Sequence, residues 1–161
     1  MPRPAAKPDG SIVELETVRV AVVRSLVGAE DVPDFMSDAL SLVAAALREA
    51  GIAPAGPPFA RYFATGPDGL DMAAGFPIPE PFVEAGVVHP GELPAGLAAV
   101  ATHVGPYEGL EAAWNALRDR ARAMRRPLGD GPWEVYVGGP GSGVDETEWR
   151  THLVWPLRAD G

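Results

Sequence analysis

Two amphipathic helical stretches, each set between runs of strand-forming residues, constrain this chain more than any other feature. In the second, Leu110, Ala113, Trp114, Leu117, Ala121 and Met124 recur at spacings of three and four, so one apolar stripe must find a core. Arg118, Asp119, Arg122 and Arg125 fall on the opposite face. Pro106 suits the first helical turn, where its fixed φ helps and no N–H is needed. Gly105 then falls at the cap, and Glu108 meets the positive helix end. Pro127 and Gly129 stop the helix, and residues 133–137 follow as a strand. Alternation along that strand turns Glu134 and Tyr136 to one face and Trp133, Val135 and Val137 to the other. A carboxylate and a phenol therefore share a surface.

The first helix has the same setting. Residues 18–25 read as a strand that runs out at Gly28, and Asp31, Pro33 and Asp34 open a helix. Its apolar positions Phe35, Ala39, Leu42, Val43, Ala46, Leu47 and Ala50 keep helical spacing until Gly51 ends it. Residues 59–65 and 70–76 read as a hairpin across the turn 66–69. The Pro- and Gly-dense stretch 77–96 reads as a connector with one strand at 82–88. Gly28 matches Gly105 at an offset of 77 (105 − 28) and Tyr62 matches Tyr136 at 74 (136 − 62), with a closing strand at 149–157. The expected fold is α+β: a tandem pseudo-twofold repeat of strand-helix-strand-strand units. Its antiparallel sheet carries two main helices on one side and a cleft on the other. Residues 1–10 form a disordered tail and 11–161 one domain, with repeat one at about 17–77 and repeat two at about 97–157.

Composition narrows the function classes. The 161 residues suffice for one core that buries about two-thirds of the unfolded surface. The chain has no cysteine, so thiol redox chemistry, zinc-thiolate sites and disulfides are excluded. A net charge of −9 argues against a nucleic-acid binder, since a phosphate backbone asks for a basic footprint. The N-terminal residues have no apolar segment of a signal peptide, and no apolar run is long enough to cross a bilayer, so a cytoplasmic location is expected. His89, His103 and His152 have no metal-ligand spacing, and neither metal nor cofactor is inferred. The run from Gly138 to Gly143 lacks the Lys-Ser/Thr and helix of a phosphate loop, and Ser142 lacks the nucleophile-elbow pattern, so the run reads as a hairpin connection.

The string His103-Val-Gly-Pro-Tyr-Glu-Gly-Leu110, with Trp114, Trp133-Glu134-Val-Tyr136, Asp145, Trp149 and the closing Thr151-His-Leu-Val-Trp-Pro156-Leu157, resembles the GyrI-like small-molecule-binding superfamily. That superfamily includes the effector-binding halves of multidrug-responsive MerR-type and AraC-type regulators. The resemblance implies that the cleft is a ligand cleft between the halves, with an acidic residue at its base that meets cationic aromatic drugs. The matching position is Glu134. It also implies an alternative, since some stand-alone members hydrolyse cyclopropane-bearing toxins. Seventeen residues precede Val18, too few for a DNA-binding domain of the regulators' kind, so a stand-alone binding domain is expected.

Hydrophobic or cationic aromatic small molecules are thus the expected ligands, with Glu134, Tyr136, Tyr62, Tyr107, Trp133, Trp114 and His103 as candidate binding residues. A cation over an aromatic face gains about 0.5–2 kcal/mol, and a carboxylate at about 4 Å adds up to about 4 kcal/mol at an effective dielectric near 20. If the chain is an enzyme, Glu134, Tyr136 and Tyr107 are the candidate catalytic groups, moving the proton of an attacking water. Plainer roles stand beside these. Trp114 fits the helix core, Trp133 alternates away from Glu134, and His103 fits a capping or packing position. Periodicity alone leaves Glu134 open between a cleft and a half-solvated rim. The basic face carrying Arg118, Arg122 and Arg125 reads as solvated, with a protein partner of gyrase-inhibitor type as the alternative.

Overall fold

The structure is a computed structural model and describes residues 10–140 and 142–158. The tail expected at residues 1–10 lies outside them but for Gly10. Among the described residues, thirteen elements fall into two compact units, one of residues 16–95 and one of residues 10–15 together with 96–158. Each unit is a four-stranded antiparallel sheet with one helix, which is the α+β tandem repeat read from the sequence.

In the unit of residues 16–95, β2 (Val18–Val27) leads through a 3-10 turn into α1 (Val32–Ala50), and β3 (Phe59–Gly66) and β4 (Gly69–Pro77) form a hairpin. The helix ends on Gly51 at φ 73°, a conformation that costs glycine nothing. Ala39, Val43 and Leu47 of α1 meet Ala21, Val23 and Ala74 of the sheet in one core. Leu42, assigned to the apolar stripe, is 47% exposed and lies outside the core that Ala39, Val43 and Leu47 form. No strand forms at 82–88. Phe82 and Val88 are buried in the α1 core, Ala85 and Val88 make an isolated bridge, and the strand is β5 (His89–Leu93). It pairs with β2, so the stretch assigned as a connector completes the sheet order β3-β4-β2-β5. Pro90 sits where only an edge strand tolerates it.

In the other unit, β6 (Gly96–Val104) leads into α2 (Leu110–Ala123), and β7 (Trp133–Val137) pairs with β8 (Arg150–Pro156). A strand absent from the sequence reading, β1 (Ser11–Leu15), pairs with β6 and gives the order β1-β6-β8-β7. β1 and β5 thus have the same place in their sheets. The helix start differs from the expectation, since the residue capping α2 is Gly109 and not Gly105. Gly105 adopts φ +125° and donates its N–H to the Trp149 carbonyl, while Pro106 is extended and caps a 3-10 turn, Tyr107–Gly109, ahead of α2. Gly28 caps the equivalent turn before α1, so its counterpart is Pro106 rather than Gly105. Met124 lies past the last helical residue and is 43% exposed. Leu110, Ala113, Trp114 and Leu117 pack with Ala99, Ala101 and Leu153 as the apolar stripe requires.

Leu47 is 1% exposed and Leu42 47%, although both occupy apolar positions of α1. Leu47→Ala is expected to cost about 2–5 kcal/mol in urea unfolding, through lost burial and a residual cavity. Leu42→Ala should stay within about 0.5 kcal/mol.

Candidate functional site

The site is built from strand alternation. Glu134 pairs with Leu153 and Leu153 with Ala101, so the three share a face, and Leu153 and Ala101 belong to the α2 core. The Glu134 side chain therefore points to the helix side of its sheet, at 4% exposure. A carboxylate there needs donors. Trp114, one turn into α2, donates its indole N–H to Oε1 at 2.9 Å, and Tyr136 donates its hydroxyl to Oε2 at 2.5 Å. Both are charge-assisted if the carboxylate is ionised, which makes them stronger than neutral pairs. Trp114 thus serves the core and the carboxylate at once, its ring also meeting Trp155 edge-on at 5.5 Å.

Aromatic rings continue outward from Tyr136. The Tyr107 ring lies 5.6 Å from that of Tyr136 and 5.0 Å from that of Trp149. Burial, and secondly the charge of Glu134, hold the Tyr107 phenol above its ordinary pKa. Glu134 therefore acts electrostatically on a tyrosine beyond its hydrogen-bonded pair. Gly139 lies so close to Tyr107 that a Cβ there would stand 2.2 Å from the hydroxyl. Trp149 is a member of this cluster that reasoning from the sequence did not name as a site residue. Its indole donates to the Val144 carbonyl at 3.1 Å, and the turn before it is capped by Asp145, which accepts from the Thr147 N–H. Thr151, paired with Tyr136 and 0% exposed, was also missed. Its hydroxyl oxygen has no hydrogen-bond partner among the described residues.

The other candidates stand apart from this cluster in different ways. Trp133 is buried on the opposite face, as alternation requires. A ring nitrogen of His103 sits 2.8 Å from the Pro106 carbonyl oxygen, a packing role without a side-chain cap at the helix start, and Gly109 leaves room for the imidazole. Tyr62 lies in the other unit, on β3 opposite Met72, as the repeat counterpart of Tyr136. Ala60, fully buried, occupies the position equivalent to Glu134, so the carboxylate belongs to one repeat alone. Arg118 has its Nε 3.5 Å from Asp119, close enough for Coulomb attraction and outside hydrogen-bond geometry. Among the described residues no three His, Asp or Glu side chains are grouped as a metal would need. Nor is any helix among them long and apolar enough to cross a membrane.

Solved structures share the fold. EcmrR in a DNA complex superposes with a TM-score of 0.80 at 19% identity, over 92% of this chain and 57% of that one. This chain thus spans little more than half of EcmrR. The isolated EcmrR C-terminal domain gives 0.78 at 20% identity, over 93% and 97% of the two chains. A hydrolase encoded by lin2189 from Listeria innocua gives 0.68 at 10% identity, over 96% and 94%. SAV2435 bound to tetraphenylphosphonium gives 0.59 at 8%, over 93% and 94%. No curated protein matches the sequence. The GyrI-like small molecule binding domain matches residues 8–158, nearly the whole chain, with the repeat and the sheets described above. This protein belongs to the GyrI-like small-molecule-binding family.

Proposed function

We propose that the protein binds hydrophobic cationic aromatic molecules, with Glu134 as the countercharge and Tyr107, Tyr136, Trp149 and Trp114 as the aromatic surround. The observation that carries this reading is a carboxylate at 4% exposure held by the neutral donors Trp114 and Tyr136. Indole and phenol donors hold a carboxylate without cancelling its charge. A lipophilic cation, unlike a lysine or a metal ion, sheds its hydration at small cost, so it gains the Coulomb term in a ring-lined site. The likeness in fold to SAV2435, a protein seen with tetraphenylphosphonium, supports the choice of that cation as probe. Tetraphenylphosphonium is expected to bind the wild type and to bind Glu134→Gln at least about tenfold more weakly, which is about 1.4 kcal/mol. Equal affinity in calorimetry would remove the carboxylate from the account.

The charge on Glu134 has a second readout in the phenol beside it. Because burial and that charge both raise the Tyr107 pKa, Glu134→Gln removes the electrostatic part and leaves the desolvation part. The Tyr107 transition, isolated in ultraviolet titration by difference with Tyr107→Phe, is expected to move to lower pH in Glu134→Gln. No movement would show that residue 134 is uncharged in the wild type.

One contact favours a hydrolytic reading beside binding. The Tyr136 hydroxyl lies 2.5 Å from Glu134, so the pair can share a proton, with Glu134 taking it from an attacking water and a tyrosine supplying one to the leaving atom. A lin2189-encoded hydrolase shares the fold. Incubation with a cyclopropane-bearing alkylator should then release ring-opened product by mass spectrometry, with the rate lost in Glu134→Gln. Recovery of intact compound leaves binding alone.

A further inference from the structure

The unit of residues 16–95 carries a cavity of about 380 Å³ that shares no residue with the Glu134 cluster. It lies on the face of the sheet turned away from α1. Val20, Val22 and Arg24 line it, and they alternate with Ala21 and Val23, which belong to the α1 core. The hollow exists because small residues stand where the register brings the strands together. Arg24 and Arg61 both flank Ala73, and Val20 faces Gly91. A Cβ on Gly91 would fit without a clash, in ordinary van der Waals contact with side-chain carbons of Val20 and Val22 at 3.5 and 4.0 Å, so a larger side chain there would reach into the hollow. Phe59 and Leu93, both buried, form apolar walls.

Two guanidiniums converge at this cavity on one ring. The Arg24 Cζ stands 3.7 Å from the Phe63 centroid and the Arg61 Cζ 4.8 Å from the same point. Arg24 is forked onto Asp71 at 2.9 and 2.8 Å, and Arg61 donates to the Glu92 carbonyl at 3.3 Å. Glu92, which supplies that carbonyl, also lines the cavity and stands opposite Arg19 in register. His89, also lining the cavity, is 2.9 Å from Glu84. Burial, and then the neighbouring Arg24 charge, push the Arg61 guanidinium below its ordinary range. In a chain of net charge −9, two like charges are here held side by side against an apolar hollow of ligand size. An anion placed between them relieves both the repulsion and the desolvation.

We propose that this cavity binds a small organic anion, a carboxylate or phosphate monoester on a body of one or two hydrophobic rings. Arg61 is the charge anchor, Arg24 the second guanidinium, and Phe59 and Phe63 the ring contacts. A planar fork suits both headgroups. The site neither needs Glu134 nor competes with it for ligand sign.

The test is calorimetric titration of the full chain with 2-naphthoate, 2-naphthyl phosphate and the neutral 2-naphthamide. At least one anion is expected to bind ten or more times tighter than the amide, the tighter of the two naming the headgroup. Arg61→Gln should erase that preference while the amide is unaffected. Gly91→Val keeps both arginines and fills the hollow from an edge strand, and should lose the naphthyl ligands altogether. It also decides the matter should Arg61→Gln fail to fold. Equal affinity for anion and amide would overturn the proposal. So would wild-type affinity in Gly91→Val, which would mean surface charge attraction without a cavity.

Discussion

Taking one carboxylate out of water sets the terms for the unit that contains α2. The desolvation of an ion costs several kcal/mol unless its lone pairs are met where it stands. Around Glu134 donors come from different sources, Trp114 on the helix and Tyr136 two residues along the same strand among them. The helix must therefore sit in the one rotation and height that bring the indole N–H to Oε1. That constraint agrees with the packing of Leu117 and Ala113 on Ala101 and Leu153. Hydrophobic fit and polar satisfaction specify the same placement, the consistency that singles out one arrangement from many apolar near-equivalents.

The two repeats show how one frame is turned to different chemistry. Ala39 and Val43 of α1 correspond to Leu117 and Ala121 of α2, all four buried, so the helix seats are alike. In place of Trp114 and Glu134 the other repeat has Met36 and Ala60, and the polar centre vanishes with them. What that repeat has instead is basic and lies on the other face of its sheet, where Arg24, Arg61 and Phe63 meet. The repeated frame thus carries an acidic, aromatic cluster under one helix and a cationic, apolar hollow away from the other.

Locally encoded features were legible in the residues. Helical spacing placed both helices, and Trp133–Val137 was read with its true bounds. Alternation correctly separated Glu134 and Tyr136 from Trp133, and the packing of His103 followed from its position at a strand end. Less legible were β1 and β5, short strands without strong β-branched runs, which exist because β6 and β2 offer them edges far away in sequence. Trp149 follows a turn rich in glycine and acids, so nothing in its own neighbourhood pointed to a stack on Tyr107.

The sequence by itself determined the repeat, the stripes of both helices, and the sharing of one strand face by a carboxylate and a phenol, because these follow from spacing along the chain, while its motifs carried the resemblance to the family. The tertiary structure alone decided that the carboxylate lies beneath α2 with an indole as its second donor, and that glycine and alanine positions from separate strands leave one hollow beside two guanidiniums. Those facts depend on where distant segments meet in space, and an absence of side-chain volume has no periodicity by which a sequence could announce it.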